Sequence, residues 1–256
     1  MLTFAAICGR AFIVYPIELC LGIVIAWCMG KYTLEIQREQ YYLLSSKSFI
    51  NEIFAYKGNL VWTVLFVCLA YVQIATKCRN YVILPQYQGN VPNYPMRGLL
   101  KQYASKFILK NVLLMLIFWV IDGIFILTGG SCLTRADTYS AEKCKASGAQ
   151  WVGGFDISGH FCFLVNISMI LWLELSQYWK YVEQDAVVLP ASRLIKVCLI
   201  ITVSVLVIWI AMLMITSIYY HTVLEKVLGC LMGYICVTVM YWLIPRSPFC
   251  NKLFYC

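Results

Sequence analysis

Six long apolar runs, at residues 11–30, 60–76, 111–128, 160–178, 197–219 and 223–244, constrain this chain more than any other feature. Each is long enough, or nearly so, to cross about 30 Å of hydrocarbon as a helix. Inside lipid, only helices and closed barrels satisfy every backbone polar group. A barrel would show weak alternation in segments of about ten residues, and none is visible. The expected fold is therefore all-α: a polytopic membrane helix bundle with about six transmembrane helices, residues 1–256 forming a single transmembrane domain. Composition agrees. Of 256 residues, 62% are hydrophobic and 12% charged, against about 25% charged in a soluble domain. Too little polar surface remains to coat a water-soluble globule. The first run follows Arg10 but is longer than a signal-peptide core and has no cleavage site after it, so it reads as a retained span.

The net charge of +8 comes from basic residues set between the apolar runs. There they mark loops facing lipid headgroups rather than a nucleic-acid surface. With the N-terminus in the cytosol, twelve Lys and Arg fall on the cytosolic side and eight on the other. That bias predicts both termini cytosolic. Most of the thirteen cysteines lie in apolar runs and read as small buried hydrophobes. Cys132 and Cys144 instead share a polar loop, the third, on the far side of the membrane. An oxidising lumen makes a bridge between them chemically feasible. No paired CxxC pattern suggests a metal site, and no cofactor motif is present.

Glu18, Asp122, Asn166 and Glu174 lie within spans. Such residues face a bundle interior, either as interhelical glue or as substrate contacts. The chain's two histidines, His160 and His221, both fall at the non-cytosolic membrane boundary. His160 follows a glycine-rich approach at 153–159, where Asp156 or Ser158 can cap the helix start. A helix N-terminus there favours phosphate, and a histidine beside it can protonate a departing phosphate oxygen. The plainer reading is a polar residue resting at headgroup level. His221 and Glu225 are four apart. If the last helix begins near residue 220 they share a face, and the carboxylate can fix the imidazole tautomer. The plainer reading is a surface pair, or Glu225 assisting the helix N-terminus.

The string GFDISGH at 154–160 resembles the signature of the fat storage-inducing transmembrane (FIT) family. The resemblance extends to Thr128-Gly129 with Cys132, to Cys144, to Trp151, to a luminal His221, and to NEIFAYKGNLVWT at 51–63. It covers most of the chain from about residue 50, and Gly130 is an extra residue in the turn. It implies a six-span protein of the endoplasmic reticulum membrane, with its site facing the lumen and a role in lipid-droplet formation and lipid homeostasis. The activity it implies is fatty acyl-CoA diphosphatase, giving acyl 4′-phosphopantetheine and adenosine 3′,5′-bisphosphate. The family is distantly similar to lipid phosphate phosphatases, whose SGH motif matches Ser158-Gly159-His160. Their H-x-x-x-D motif matches His221 to Glu225, with Glu in place of Asp.

On this resemblance His160 and His221 are the candidate catalytic pair, supported by Glu225, Ser158, Gly159 and Asp156. The backbone of 153–159 and nearby cations would stabilise phosphate oxygens. The phosphatases' K-x6-R-P motif has no match, so the phosphate-binding cations are unassigned, with Arg135, Lys143, Lys145 and Lys57 as candidates. Two other functions compete. One is non-enzymatic binding of diacylglycerol or triacylglycerol, in a pocket formed by Asn166, Glu174, Gly229 and Gly233. The other is a lipid-phosphate phosphatase. The expected partners are fatty acyl-CoA, membrane lipids and neutral lipid, not nucleic acid.

Overall fold

A computed structural model describes residues 10–44, 48–83, 96–133, 139–184 and 193–255. Nine helices are labelled here: α1 (Val14–Met29), α2 (Lys31–Gln40), α3 (Gly58–Ile83), α4 (Met96–Leu127), α5 (Ala141–Ala146), α6 (Gly159–Gln184), α7 (Arg193–Tyr219), α8 (Val223–Thr238) and α9 (Pro248–Phe254). Among the described residues, six segments are long and apolar enough to cross a membrane; they contain α1, α3, α4, α6, α7 and α8. The chain is thus a multi-pass helical membrane protein. Residues such as Ile17, Leu21, Met115, Trp119, Ile200 and Leu231 point outward from the bundle, as lipid-facing side chains do. A π-helical turn, Val239–Leu243, extends α8 to Arg246, and another, Glu52–Tyr56, leads into α3.

The helix α6 lies at the centre. Phe161, Leu164, Val165, Ile167, Ile170 and Leu171 are fully buried along it. Small residues set its distance from α8. A Cβ at Gly229 would come within 2.5 Å of the Ser158 carbonyl, and one at Gly233 within 2.9 Å of the Cys162 carbonyl. Close backbone approach of this kind is how membrane helices associate. Asn166 joins the same contact, its Nδ2 donating to the Gly233 carbonyl. The contact between α1 and α7 repeats the device, with Gly22 seated on Ser217, whose hydroxyl donates to the Leu19 carbonyl.

The third span differs most from expectation. It begins at Met96 rather than near residue 111, so Lys106 and Lys110 sit inside the bundle, almost fully buried. Each has a partner that sequence spacing conceals. Lys106 Nζ donates to Glu174 Oε1 at 2.5 Å. The same carboxylate accepts from Tyr241 at 2.5 Å and from Gln73 at 2.6 Å. Lys110 Nζ lies 3.9 Å from the Trp62 ring centre and donates to Asn59. Glu174 is thus interhelical glue. Lys106 and Lys110 leave the loops on one side, and the buried Lys226 of α8 leaves those on the other. The basic asymmetry narrows from twelve against eight to ten against seven.

Candidate active site

At one end of the bundle, α4 stops where Thr128 turns its hydroxyl back onto the Ile124 and Phe125 carbonyls. The chain then forms a two-stranded hairpin, β1 (Ser131–Cys132) and β2 (Trp151–Val152), with Cys132 opposite Trp151. Cys132 is bridged to Cys144 at the start of the intervening loop's return. Trp151 stacks on Phe125 with ring centres 4.4 Å apart. The next two residues, Gly153 and Gly154, both have positive φ. A Cβ at Gly154 would meet the Phe125 carbonyl at 2.5 Å and Gly130 Cα at 2.8 Å, so only glycine fits. The extra Gly130 is part of that fit. Cys132→Ser is expected to lower the thermal unfolding midpoint in detergent by the equivalent of about 3 kcal/mol. Unchanged midpoints with and without reductant would oppose a structural role for the bridge.

The loop then delivers its polar residues one by one. The Phe155 N–H donates to the Thr128 hydroxyl at 2.6 Å. The Asp156 N–H donates to Glu225 Oε1 at 3.3 Å, and the Ser158 N–H to the Glu225 carbonyl at 3.1 Å. Ser158 caps α6, its hydroxyl accepting from the Phe161 N–H at 3.4 Å. Gly159 is the first residue of α6, close to Phe118. His160 follows in the first turn, with the Tyr56 ring edge-on at 6.0 Å. Three backbone N–H groups of 153–159 are therefore engaged within the protein, and they hold the loop rather than a phosphate.

His221 arrives differently from the expected shared helix face. It lies in the turn between α7 and α8 with φ of 59°. Thr222 is the N-cap of α8, and Glu225 closes a capping box with it, its Oε2 accepting from the Thr222 N–H at 2.7 Å. The helix dipole and the cap bring Glu225 back toward the turn. His221 Nδ1 is 3.7 Å from Glu225 Oε2 and 3.7 Å from Asp156 Oδ2. Asp156 thus faces the imidazole instead of capping α6. Burial raises the Asp156 carboxyl above the usual carboxylate range; His221 opposes that shift, and Glu225 adds to it.

Both histidines line one cavity of about 790 Å³. Ser48, Asn51, Gln150 and Asp156 are among its polar lining residues. Ile208, Ala211, Met212 and Ile215 of α7 form an apolar wall. An imidazole flanked by carboxylates, a second imidazole and an apolar trough can together serve nucleophilic and acid–base chemistry on an amphiphile. Asn51 and Tyr56 belong to the string at 51–63, which the sequence marks without giving either residue a role. Their signal was the cluster of polar and aromatic residues just before the second apolar run.

The described lining of this cavity contains no Lys or Arg. Lys57 instead faces Glu52 at 3.3 Å, and Lys143 is exposed on α5. Arg135 and the side chain of Lys145 fall outside the described residues.

Residues 39–241 match a sequence model described as "Fat storage-inducing transmembrane protein". The chain is 40% identical to acyl-coenzyme A diphosphatase YFT2 of Saccharomyces cerevisiae, covering 96% of each protein. It is 24% identical to acyl-coenzyme A diphosphatase fit1 of Schizosaccharomyces pombe, over 93% of this chain and 85% of that one. Against acyl-coenzyme A diphosphatase FITM2 of Xenopus laevis the identity is 27%, over 61% and 63%. No solved structure matches.

Proposed function

The chain belongs to the fat storage-inducing transmembrane family, and from that premise we propose that it is a fatty acyl-CoA diphosphatase working through His160 and His221. The observation that carries the reading is that the chain's two histidines, 61 residues apart, line a single cavity with an apolar wall. Relatives aligned over most of the chain bear the same activity in their names.

The acyl chain lies along Ile208, Ala211, Met212 and Ile215, and the diphosphate meets the histidines. With Nδ1 of His221 turned to Asp156 and Glu225, Nε2 on the other edge of the ring attacks one phosphorus. A P–N bond forms as the bridging P–O bond breaks. His160 gives a proton to the departing phosphate oxygen. It then takes a proton from water, whose oxygen attacks the same phosphorus and breaks the P–N bond. The balance is one water consumed and one phosphoanhydride split. The products are acyl 4′-phosphopantetheine and adenosine 3′,5′-bisphosphate. The two carboxylates stabilise the positive charge that the imidazole carries while phosphorylated.

We assign the protein to the endoplasmic reticulum membrane with this cavity facing the lumen and both termini cytosolic, where its activity serves lipid-droplet formation and lipid homeostasis. The Cys132–Cys144 bridge supports that orientation, because disulfides persist in oxidising compartments. The residues of the alternative neutral-lipid pocket are engaged otherwise: Asn166, Gly229 and Gly233 in helix packing, and Glu174 with Lys106.

Hydrolysis of oleoyl-CoA by the purified protein in detergent, read by mass spectrometry, tests the reaction class. Adenosine 3′,5′-bisphosphate is expected. Free phosphate without it would indicate a phosphatase, and no product at all would refute the enzymatic reading.

A further inference from the structure

The first cavity leaves the substrate's charge unanswered. A CoA thioester carries a diphosphate and a 3′-phosphate, yet the described lining around His160 has no cation. A second cavity of about 470 Å³ lies beside it, and Tyr220 and His221 line both. Its other walls are the end of α1, the helix α2 and the start of α8. They bring Lys31, Arg38 and Lys226 to it, with Glu35 as the acidic residue.

These cations differ in what they already do. Lys226 is buried and donates to the Ser217 carbonyl at 2.6 Å, which makes it structural. Lys31 lies 3.9 Å from Glu35 with its side chain almost wholly exposed. Arg38 sits on the last turn of α2 with its guanidinium 5.7 Å from the Tyr220 ring centre. Tyr219, next in the same turn, donates to Gln37 at 2.7 Å, which ties α2 to the end of α7. The Trp27 indole completes the rim. A basic, aromatic hollow thus adjoins an apolar one, with His221 in the partition.

We propose that this second cavity is the nucleotide subsite, in which Arg38, assisted by Lys31, binds the 3′-phosphate of the adenosine 3′,5′-bisphosphate moiety. The inference rests on the diphosphatase reading and extends it. A diphosphate held at His221 has its acyl-pantetheine arm in the apolar cavity and its nucleotide arm in the basic one. A guanidinium held over an aromatic ring at 5.7 Å has a planar fork that can give a phosphate two parallel hydrogen bonds. Trp27 offers a face on which adenine can stack. Length alone does not hold CoA here; the 3′-phosphate distinguishes it from other nucleotide diphosphates.

The test compares kcat/KM for oleoyl-CoA and oleoyl-3′-dephospho-CoA in the purified full-length protein and in Arg38→Ala. The wild-type protein is expected to prefer the 3′-phosphorylated thioester by about tenfold or more, and Arg38→Ala to bring that ratio down toward one. Arg38→Lys keeps the charge but not the two-pronged donor, and its lowered ratio gives the same reading should Arg38→Ala not fold. A wild-type ratio near one overturns the assignment, as does a ratio that the substitutions leave unchanged. If the wild-type protein cleaves neither thioester, the diphosphatase reading has failed instead. The cavity is then judged by binding of adenosine 3′,5′-bisphosphate itself. Weaker binding by Arg38→Ala supports the site, and equal or absent binding refutes it.

Discussion

Removal of the imidazole at position 221 is expected to lower kcat for oleoyl-CoA by roughly 10³-fold or more. His221→Ala alone would confuse two effects. The residue has φ of 59°, a left-handed conformation that costs most side chains energy but that Asn adopts readily. His221→Asn is therefore the cleaner variant, because it keeps the turn and loses the nucleophile. His160→Ala is expected to lose about 10²- to 10⁴-fold as well, but for another reason. It retains the attacking nitrogen and lacks the proton donor. Intact-protein mass spectrometry after rapid quenching separates the roles. The covalent adduct on wild-type protein should be absent from His221→Asn and should form slowly on His160→Ala. Near-normal turnover by a folded His221→Asn would refute nucleophilic attack by that residue.

Lys106→Ala is expected to be the most destabilising of the variants considered, by about 3–5 kcal/mol. The lysine and Glu174 are almost fully buried and 2.5 Å apart, so removing the cation leaves a carboxylate within the bundle hydrogen-bonded by the neutral side chains of Tyr241, Gln73 and Tyr103. Lys106→Met combined with Glu174→Gln should recover most of the loss. It removes both charges and keeps a hydrogen-bonding partner for Tyr241. Thermal unfolding in detergent reads both variants. A single variant as stable as wild type, or a double variant no better than the single, would refute the pair's structural role. The effect should fall on stability more than on turnover, since Glu174 is 14 residues beyond His160 on α6, about 21 Å along the helix.

The same residues explain where the sequence could and could not be read. Apolar length is a local signal, so the six spans were legible. GFDISGH is legible as a local string, and its first glycine, Gly154, is demanded by the backbone of Phe125 and Gly130. The sequence places Lys106 and Lys110 in a loop, because a charge in lipid is costly. What removes the cost is a partner 68 residues away on α6 for one, and Asn59 with Trp62 for the other. The four-residue spacing of His221 and Glu225 implies their proximity, but a left-handed turn and a capping box bring them together in place of a shared helix face. Asp156 as the second carboxylate depends on a contact between segments 65 residues apart, which no local pattern reveals. The helix α2 was hidden for another reason. Its ten residues are polar and short, and only their position against the Tyr219–Tyr220 turn gives Arg38 a context.

Glu225 receives the N–H groups of Asp156 and Ser158 from one loop and that of Thr222 from another. During synthesis the first loop leaves the ribosome well before its partner, by 65 to 70 residues or several seconds at ordinary elongation rates. Until α8 is threaded into the membrane, those donors have no acceptor and His221 has no turn to occupy. A nascent chain with five spans inserted therefore carries the signature loop but not the paired-histidine cavity. On the diphosphatase reading, acyl-CoA hydrolysis waits for the last helix to arrive.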